Sequence, residues 1–370
     1  MKNITYFLGA GASYHAIPLV KGDPDYEKDP ENKKPSLTVD MILFYKSILK
    51  FIENLEIDKT ILKHQADKDS ITKWLKYVIE LLYQAQSYAT IDTFLKRYFL
   101  QEKSEYAILK NTLSFYLSCK QMGVLKSNFG GFKIDERYIG LVAGLCKKSR
   151  LGEISFRDDV SFITWNYDLQ VEFAHALFKY MNWEKLQISN LLFELGSYPN
   201  QELNKENQRI IHLNGTSGYR RIKVNKSEVD NTIPDYILVD QIDFRQTNFQ
   251  EYCIQELYTL SMNRSSCDIH FSWDSESINS SAVKIAQRIL EQSKIIVIIG
   301  YSFPFFNREV DRQLLDKEVL SNCDKIYVQD PKFDKDSFIE QFGLNDFSER
   351  IIEVGNKPNG LLSFFIPPEM

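Results

Sequence analysis

Ile4 to Leu8 is an apolar, β-prone run, and Gly9-Ala10-Gly11-Ala12-Ser13 cuts it off almost at the start of the chain. Glycine at positions 9 and 11 lets the backbone turn tightly, so a strand stops and a helix begins with hardly any loop between them. A helix N-terminus reached this way presents unpaired backbone N–H groups and the positive end of the helix dipole, which together suit a phosphate. The dinucleotide-binding fingerprint has a third glycine where this chain carries Tyr14. Taken alone, the segment reads equally well as a plain strand-to-helix turn.

Two further segments repeat the pattern. Val160 to Thr164 (VSFIT) predicts a buried strand followed directly by Trp165-Asn166-Tyr167-Asp168, and Ile295 to Gly300 (IIVIIG) predicts the most apolar one, followed by Tyr301-Ser302-Phe303-Pro304. Strands that end in small or polar groups are where open parallel sheets hold their ligands. Arg209 to Leu213 predicts another strand, and Asp324 to Pro331 the last one of the core. The chain therefore reads as an α/β protein with a Rossmann-like parallel-sheet core and a large, mainly helical insertion. The core draws on residues 1–35, 151–219 and 290–335. The helical insertion covers 36–150, a second insertion of mixed structure 220–289, and a C-terminal segment 336–370.

Within the insertion, Leu43, Phe44, Ile48, Phe51 and Ile52, and again Trp74, Val78, Leu81 and Leu82, recur at helical spacing. Ser87 to Phe99 predicts a helix with Asp92 near its start, a charge that the dipole favours there. Leu169 to Tyr180, Gln250 to Met262 and Ser281 to Ser293 predict further helices, Ile237 to Val239 a short strand, and Ser265 to Ser280 a loop. Lys21 to Pro35 is charged and proline-punctuated, which suits a solvated surface loop or a cover over a nucleotide held by the nearby glycine turn.

Composition narrows the function classes. With 45 Lys and Arg against 50 Asp and Glu, the net charge of −5 argues against nucleic-acid backbone binding as the main task. The start of the chain has no secretory leader pattern, and no apolar run approaches the roughly 20 residues that span a bilayer, so a cytoplasmic protein without a membrane role is expected. Cys119, Cys146, Cys253, Cys267 and Cys323 lie far apart, as reduced, packed thiols do. They form no C-x-x-C pair, and the five histidines have no metal-ligand spacing, so no metal is expected. Neither a G-x-S-x-G elbow nor a P-loop lysine follows any strand, which argues against a serine hydrolase or an ATPase.

Gly-Ala-Gly-Ala-Ser, Thr-Trp-Asn-Tyr-Asp and Gly-Tyr-Ser-Phe, in that order, resemble the sirtuin superfamily. More narrowly, they are similar to the bacterial sirtuin-like domains of antiphage defence, which hydrolyse NAD. The resemblance covers the Rossmann-type core, roughly half of the chain. It implies an NAD glycohydrolase with NAD as its substrate, cleaved to nicotinamide and ADP-ribose. It also implies action as a homo-oligomer or beside a partner such as a HerA-like translocase ATPase or a short Argonaute. Gly9, Ala10, Gly11, Ala12 and Ser13 would then cradle the pyrophosphate, with Thr164, Gly300, Ser302 and Asp330 as further nucleotide contacts. Asn166 matches the asparagine that orients ribose and water, and Asp168 the acid that accepts from the nicotinamide amide. Read without the family, Asn-Tyr-Asp is a turn in which Asp168 caps the next helix, and Asp330 begins an Asp-Pro turn.

The chain departs from the sirtuin pattern at three places. Trp165 stands where sirtuins have Gln, the zinc cysteines of protein-deacylating sirtuins are missing, and Asn214 fills the catalytic histidine's position in Ile-Ile-His-Leu-Asn-Gly-Thr. His212 lies two residues earlier and so on the same face of a strand. One reading makes His212 the proton acceptor; the other has Asn214 replace the base by a neutral group. A non-catalytic NAD or ADP-ribose sensor is the rival function, with an NAD-dependent deacylase behind it.

Overall fold

Ile4–Leu8 and Ile295–Ile299 are buried at all five positions, the mark of strands covered on both faces. A computed structural model describes residues 3–19, 21–23, 28–29, 34–55, 65–121, 134–150, 152–179, 191, 195, 209–223, 236–240, 249–262, 266–274, 281–355 and 362–370. Six strands form the main sheet: β1 Ile4–Leu8, β2 Val160–Thr164, β3 Ile210–His212, β4 Ile295–Ile299, β5 Lys325–Gln329 and β6 Ile351–Glu353. Their order is β6-β5-β4-β1-β2-β3, and every neighbouring pair is parallel. This is the order of a doubly wound, Rossmann-like sheet, in which the chain reverses direction between β1 and β4. The register sets Gln329, Ile299, Leu8, Thr164 and His212 side by side along one edge, so the loops leaving five strands start from one row.

Alternate residues of the strands serve two layers. Phe7, Ile163, Ile211, Ile298 and Val328 join one core with residues of the helices Ser281–Gln292, Arg308–Leu314 and Lys335–Phe342. On the other face Tyr6 stacks on Phe162 at 5.4 Å, and Phe162 meets Phe156 at 5.1 Å. The C-terminal residues belong to this layer too. Gln329 bonds both Ser363 O and Phe365 N (2.8 and 2.9 Å), and Phe365 packs on Tyr327.

The chain divides into two compact units. The first holds residues 1–16, 132–216 and 270–370, hence the whole main sheet. It also takes in 132–150, 270–289 and 336–370, which the sequence reading placed outside the core. The second unit, residues 17–131 and 217–269, contains the helices Leu37–Asn54, Gln65–Ala85, Ile91–Leu100, Glu105–Gln121 and Phe249–Ser261. Its helix starts are capped where the sequence supplies the groups: Ser36 Oγ accepts from Val39 N and Thr90 Oγ1 from Thr93 N. Of the charged segment Lys21 to Pro35, residues 24–27 and 30–33 lie outside the described residues. Asp23 and Lys34 tie its two ends together.

Three sequence expectations change. The last core strand is Ile351–Glu353, not the run ending at Asp330; three residues are too few to leave a periodicity. Ser265 to Ser280 is not all loop. Ser266–Ile269 pairs into a sheet with Gly215–Lys223 and Tyr236–Asp240, and Cys267 N is held by Asn111 Oδ1 at 2.8 Å. A hairpin, Cys146–Lys148 with Ile154–Phe156, was not foreseen. None of the described helices is long and apolar enough to cross a membrane.

Candidate functional site

The glycine turn leaves β1 at the point where the strand order reverses. Instead of opening a long helix, it makes a single 3-10 turn, Ala10–Ser13. The β1–β4 pairing continues past the strands, with Gly9 N donating to Ile299 O at 3.0 Å and Gly11 N to Gly300 O at 2.9 Å. Ala12 N donates to Gly9 O at 2.9 Å. The N–H groups of Gly9, Gly11 and Ala12 are thus engaged by the chain's own carbonyls. Ala10 is the exposed residue of the turn, and the described hydrogen bonds leave its N–H open.

Behind the turn stands Arg137 of the helix Glu136–Leu145. Its Nη2 donates to Ala12 O at 3.1 Å, Gly11 O at 3.4 Å and Asp135 Oδ2 at 2.6 Å, and its Nε donates to Asp135 Oδ1 at 2.9 Å. Burial alone would raise the Asp135 carboxyl, but the hydrogen bonds and charge of Arg137 outweigh it and hold the carboxyl below its ordinary range.

Asn166 is fixed at three points. Its N–H donates to Thr164 Oγ1 (3.0 Å), its backbone carbonyl accepts from His212 Nδ1 (3.0 Å), and its Nδ2 donates to Gly9 O (3.0 Å) and Ser13 Oγ (3.1 Å). A backbone carbonyl is only an acceptor, so Gly9 O fixes which end of the amide is nitrogen. The atom left to a ligand is therefore Oδ1, an acceptor.

Asp168 follows two residues on. Its Oδ1 accepts from Gln170 N at 3.3 Å, so it does cap the helix Gln170–Lys179. Burial pushes its carboxyl up to about 6, against the Ser13 hydroxyl and the Gln170 N–H, which favour the charged form. Ser13 Oγ also lies 3.3 Å from the Tyr138 hydroxyl.

His212, at the end of β3, faces the same turn. Nε2 lies 2.8 Å from Glu172 Oε1, and Nδ1 is engaged by Asn166, so both ring nitrogens are filled. Burial would lower the imidazole, but the charge and hydrogen bond of Glu172, with the Asn166 carbonyl, raise it. Sequence reasoning offered His212 as a proton acceptor and overlooked Glu172. Glu172 lies in the first turn of the helix Gln170–Lys179, where the sequence alone marks it as one more surface charge.

Trp165, the departure from the sirtuin pattern, has a structural partner. Its Nε1 donates to Asp311 Oδ1 at 3.1 Å and its ring stacks on Tyr301 at 6.0 Å. The Tyr301 hydroxyl donates to the same carboxylate at 2.8 Å. This buried knot ties the turn after β2 to the turn after β4 across β1. Burial drives the Asp311 carboxyl from 3.8 up to about 8, with Tyr301 and Trp165 only partly opposing it. A carboxyl raised in the folded state binds its proton more tightly there than in the unfolded chain. Its contribution is present below pH 3.8 and is lost as pH rises through about 8. Asp311→Asn keeps Oδ1 as an acceptor for Trp165 Nε1 and for the Tyr301 hydroxyl, which lies 2.9 Å from it, and removes the ionisation. Urea unfolding of this variant at several pH values should show a flatter dependence between about 4 and 8 than the parent.

The remaining sequence candidates share the sheet edge but not the cluster. Ser302 is exposed. Asp330 Oδ1 accepts from Lys332 N at 2.8 Å, an Asx turn, while burial raises its carboxyl. Asn214 lies just past β3; its backbone carbonyl accepts from His270 N, and its Oδ1 is buried without a described partner, as are Thr216 Oγ1 and Glu172 Oε2. No cluster of three or more metal-ligating side chains occurs among the described residues.

No family model, curated protein or solved structure matches this chain.

Proposed function

We propose that the chain is a sirtuin-like NAD glycohydrolase, cleaving NAD with water to nicotinamide, ADP-ribose and a proton. The observation that carries the reading is the junction of Asn166 with the glycine turn, made at the carboxyl edge of a 3-2-1-4-5-6 parallel sheet beside its reversal point. Breaking the bond between nicotinamide and ribose C1′ passes through an oxocarbenium-like transition state, as glycoside cleavage does. Asn166 Oδ1, pointed by four contacts made through three groups of the residue, accepts from the attacking water or a ribose hydroxyl. Asp168 lies beside it with a carboxyl near the range useful for proton transfer. By the same resemblance, the biological role is NAD depletion in antiphage defence, as a homo-oligomer or with a translocase ATPase or short Argonaute partner.

Phosphate would approach through the open Ala10 N–H. Ala10→Pro removes that donor without touching the glycines, and Gly9, at φ −117° and ψ −178°, already has the extended backbone that precedes a proline. The variant should bind NAD about 10- to 100-fold more weakly with unchanged thermal stability, the scale of one hydrogen bond to a charged group.

Asn214 in the histidine position, with both nitrogens of His212 engaged, favours a second reading: a sensor that binds NAD or ADP-ribose without cleaving it. The full chain incubated with NAD, with nicotinamide and ADP-ribose separated by chromatography, tests both. Product release supports the hydrolase. Calorimetric binding without products favours the sensor, and neither binding nor turnover overturns both.

A further inference from the structure

We infer that His212 is a positioning residue for Asn166, held by Glu172, and is not the group that accepts the reaction's proton. The contacts fix the proton count. The Asn166 carbonyl only accepts, so Nδ1 carries a hydrogen. Nε2 faces Glu172 Oε1 at 2.8 Å, and that contact holds one proton, whichever partner owns it. The ring therefore shows no free lone pair to a substrate or a water.

Both partners are buried, His212 at 9% exposure and Glu172 at 0%. To act as a base, His212 would have to leave Glu172 as an unpaired carboxylate in the interior, which buried pairs resist. What the imidazole does hold is the carbonyl of the residue whose amide reaches the glycine turn. The strand end, the helix Gln170–Lys179 and the Asn166 turn are thereby locked into one geometry. Asp168, from the turn after β2, is the other titratable group acting on the ring, and Tyr138 is the next one beyond it.

The kinetic arm of the test rests on the NAD-hydrolase reading; the protonation arm does not. The experiment compares the parent with Glu172→Gln, Glu172→Ala and His212→Gln. It reads kcat and KM for NAD cleavage and the side-chain ¹⁵N spectrum of the histidine-labelled full chain across about pH 6 to 8. In the parent, Nδ1 of His212 should stay protonated and the ring should not titrate in that window. Glu172→Ala should free the ring to titrate and lower kcat by roughly tenfold with little change in KM, and Glu172→Gln, whose amide can donate to Nε2, should recover most of that loss. His212→Gln should cost roughly tenfold, short of the 10²- to 10⁴-fold expected for a lost general base.

A parent ring that titrates freely, or a His212→Gln loss of that larger size with Glu172→Ala near the parent, overturns the inference. If the parent neither binds nor cleaves NAD, the hydrolase reading falls and the spectrum still decides. A ring silent in the parent and titrating in Glu172→Ala supports the pair; a ring titrating in both refutes it.

Discussion

Asn166→Ala is expected to slow NAD cleavage by about 10²- to 10³-fold while NAD remains bound, the loss typical of removing one fixed group that meets the reacting centre. The size follows from how firmly the side chain is held. Its Nδ2 bonds Gly9 O and Ser13 Oγ, its N–H is bonded to Thr164 and its carbonyl to His212. Oδ1 is therefore aimed before any ligand arrives and loses little entropy in the transition state. Alanine also removes the donor that Nδ2 supplies to Gly9 O and Ser13 Oγ. Gly9 O keeps Ala12 N as a partner, so the accompanying fall in stability is small, about 0.5–1.5 kcal/mol. Asn166→Asp separates the two effects. It restores an acceptor in the place of Oδ1 but turns a second oxygen toward Gly9 O, acceptor against acceptor, so it should harm the fold more than alanine does. Nicotinamide release by chromatography, NAD titration by calorimetry and thermal unfolding, run on the same three proteins, check the order. An Asn166→Ala protein with parental kcat would remove Asn166 from the chemistry.

What was legible in the sequence follows the physics of each element. β4 is a continuous apolar run, and β1 and β2 are short, mainly apolar β-prone runs, each followed by small or polar residues, so these strands announce themselves. Ile351–Glu353 has three residues and ends in a charge, and only its pairing with β5 makes it a strand. Asn166 and Gly9 stand 157 positions apart. The residue types could be named from the chain, and the parallel register that brings them together could not. Glu172 and Asp311 show the same limit from the other side. Each reads as a surface charge on an amphipathic helix, and each is buried because a partner (His212, or Trp165 with Tyr301) meets it from a distant strand end. Trp165 departs from a binding motif and donates, with Tyr301, to the buried carboxyl of Asp311.

Gly300→Ala is the substitution expected to damage the fold most, by roughly 3–5 kcal/mol, read as a shift in the midpoint of chemical unfolding. Two costs add. Gly300 sits at φ +59°, where a side chain costs about 1–2 kcal/mol. A Cβ there would also stand 2.4 Å from Ala12 N and 2.5 Å from Gly11 C. Those are backbone atoms of the facing turn, already tied by Gly11 N to Gly300 O and by Arg137 to the Gly11 and Ala12 carbonyls, so they cannot swing aside. Gly9→Ala meets overlap alone. Its φ of −117° is ordinary, but its Cβ would lie 2.6 Å from Gly300 O, so a smaller loss of about 1–3 kcal/mol is expected. This ordering bears on what the glycine signature means. In a phosphate loop glycines are commonly credited with letting a pyrophosphate approach the backbone. Here the space beside Gly9 and Gly11 is filled by the Gly300 turn of the chain itself, so their glycine character is required with no ligand present. A Gly9→Ala or Gly11→Ala protein that fails to bind NAD therefore says nothing about phosphate contact unless its stability is parental. The exposed Ala10, whose N–H stays open, is the position at which binding and folding come apart.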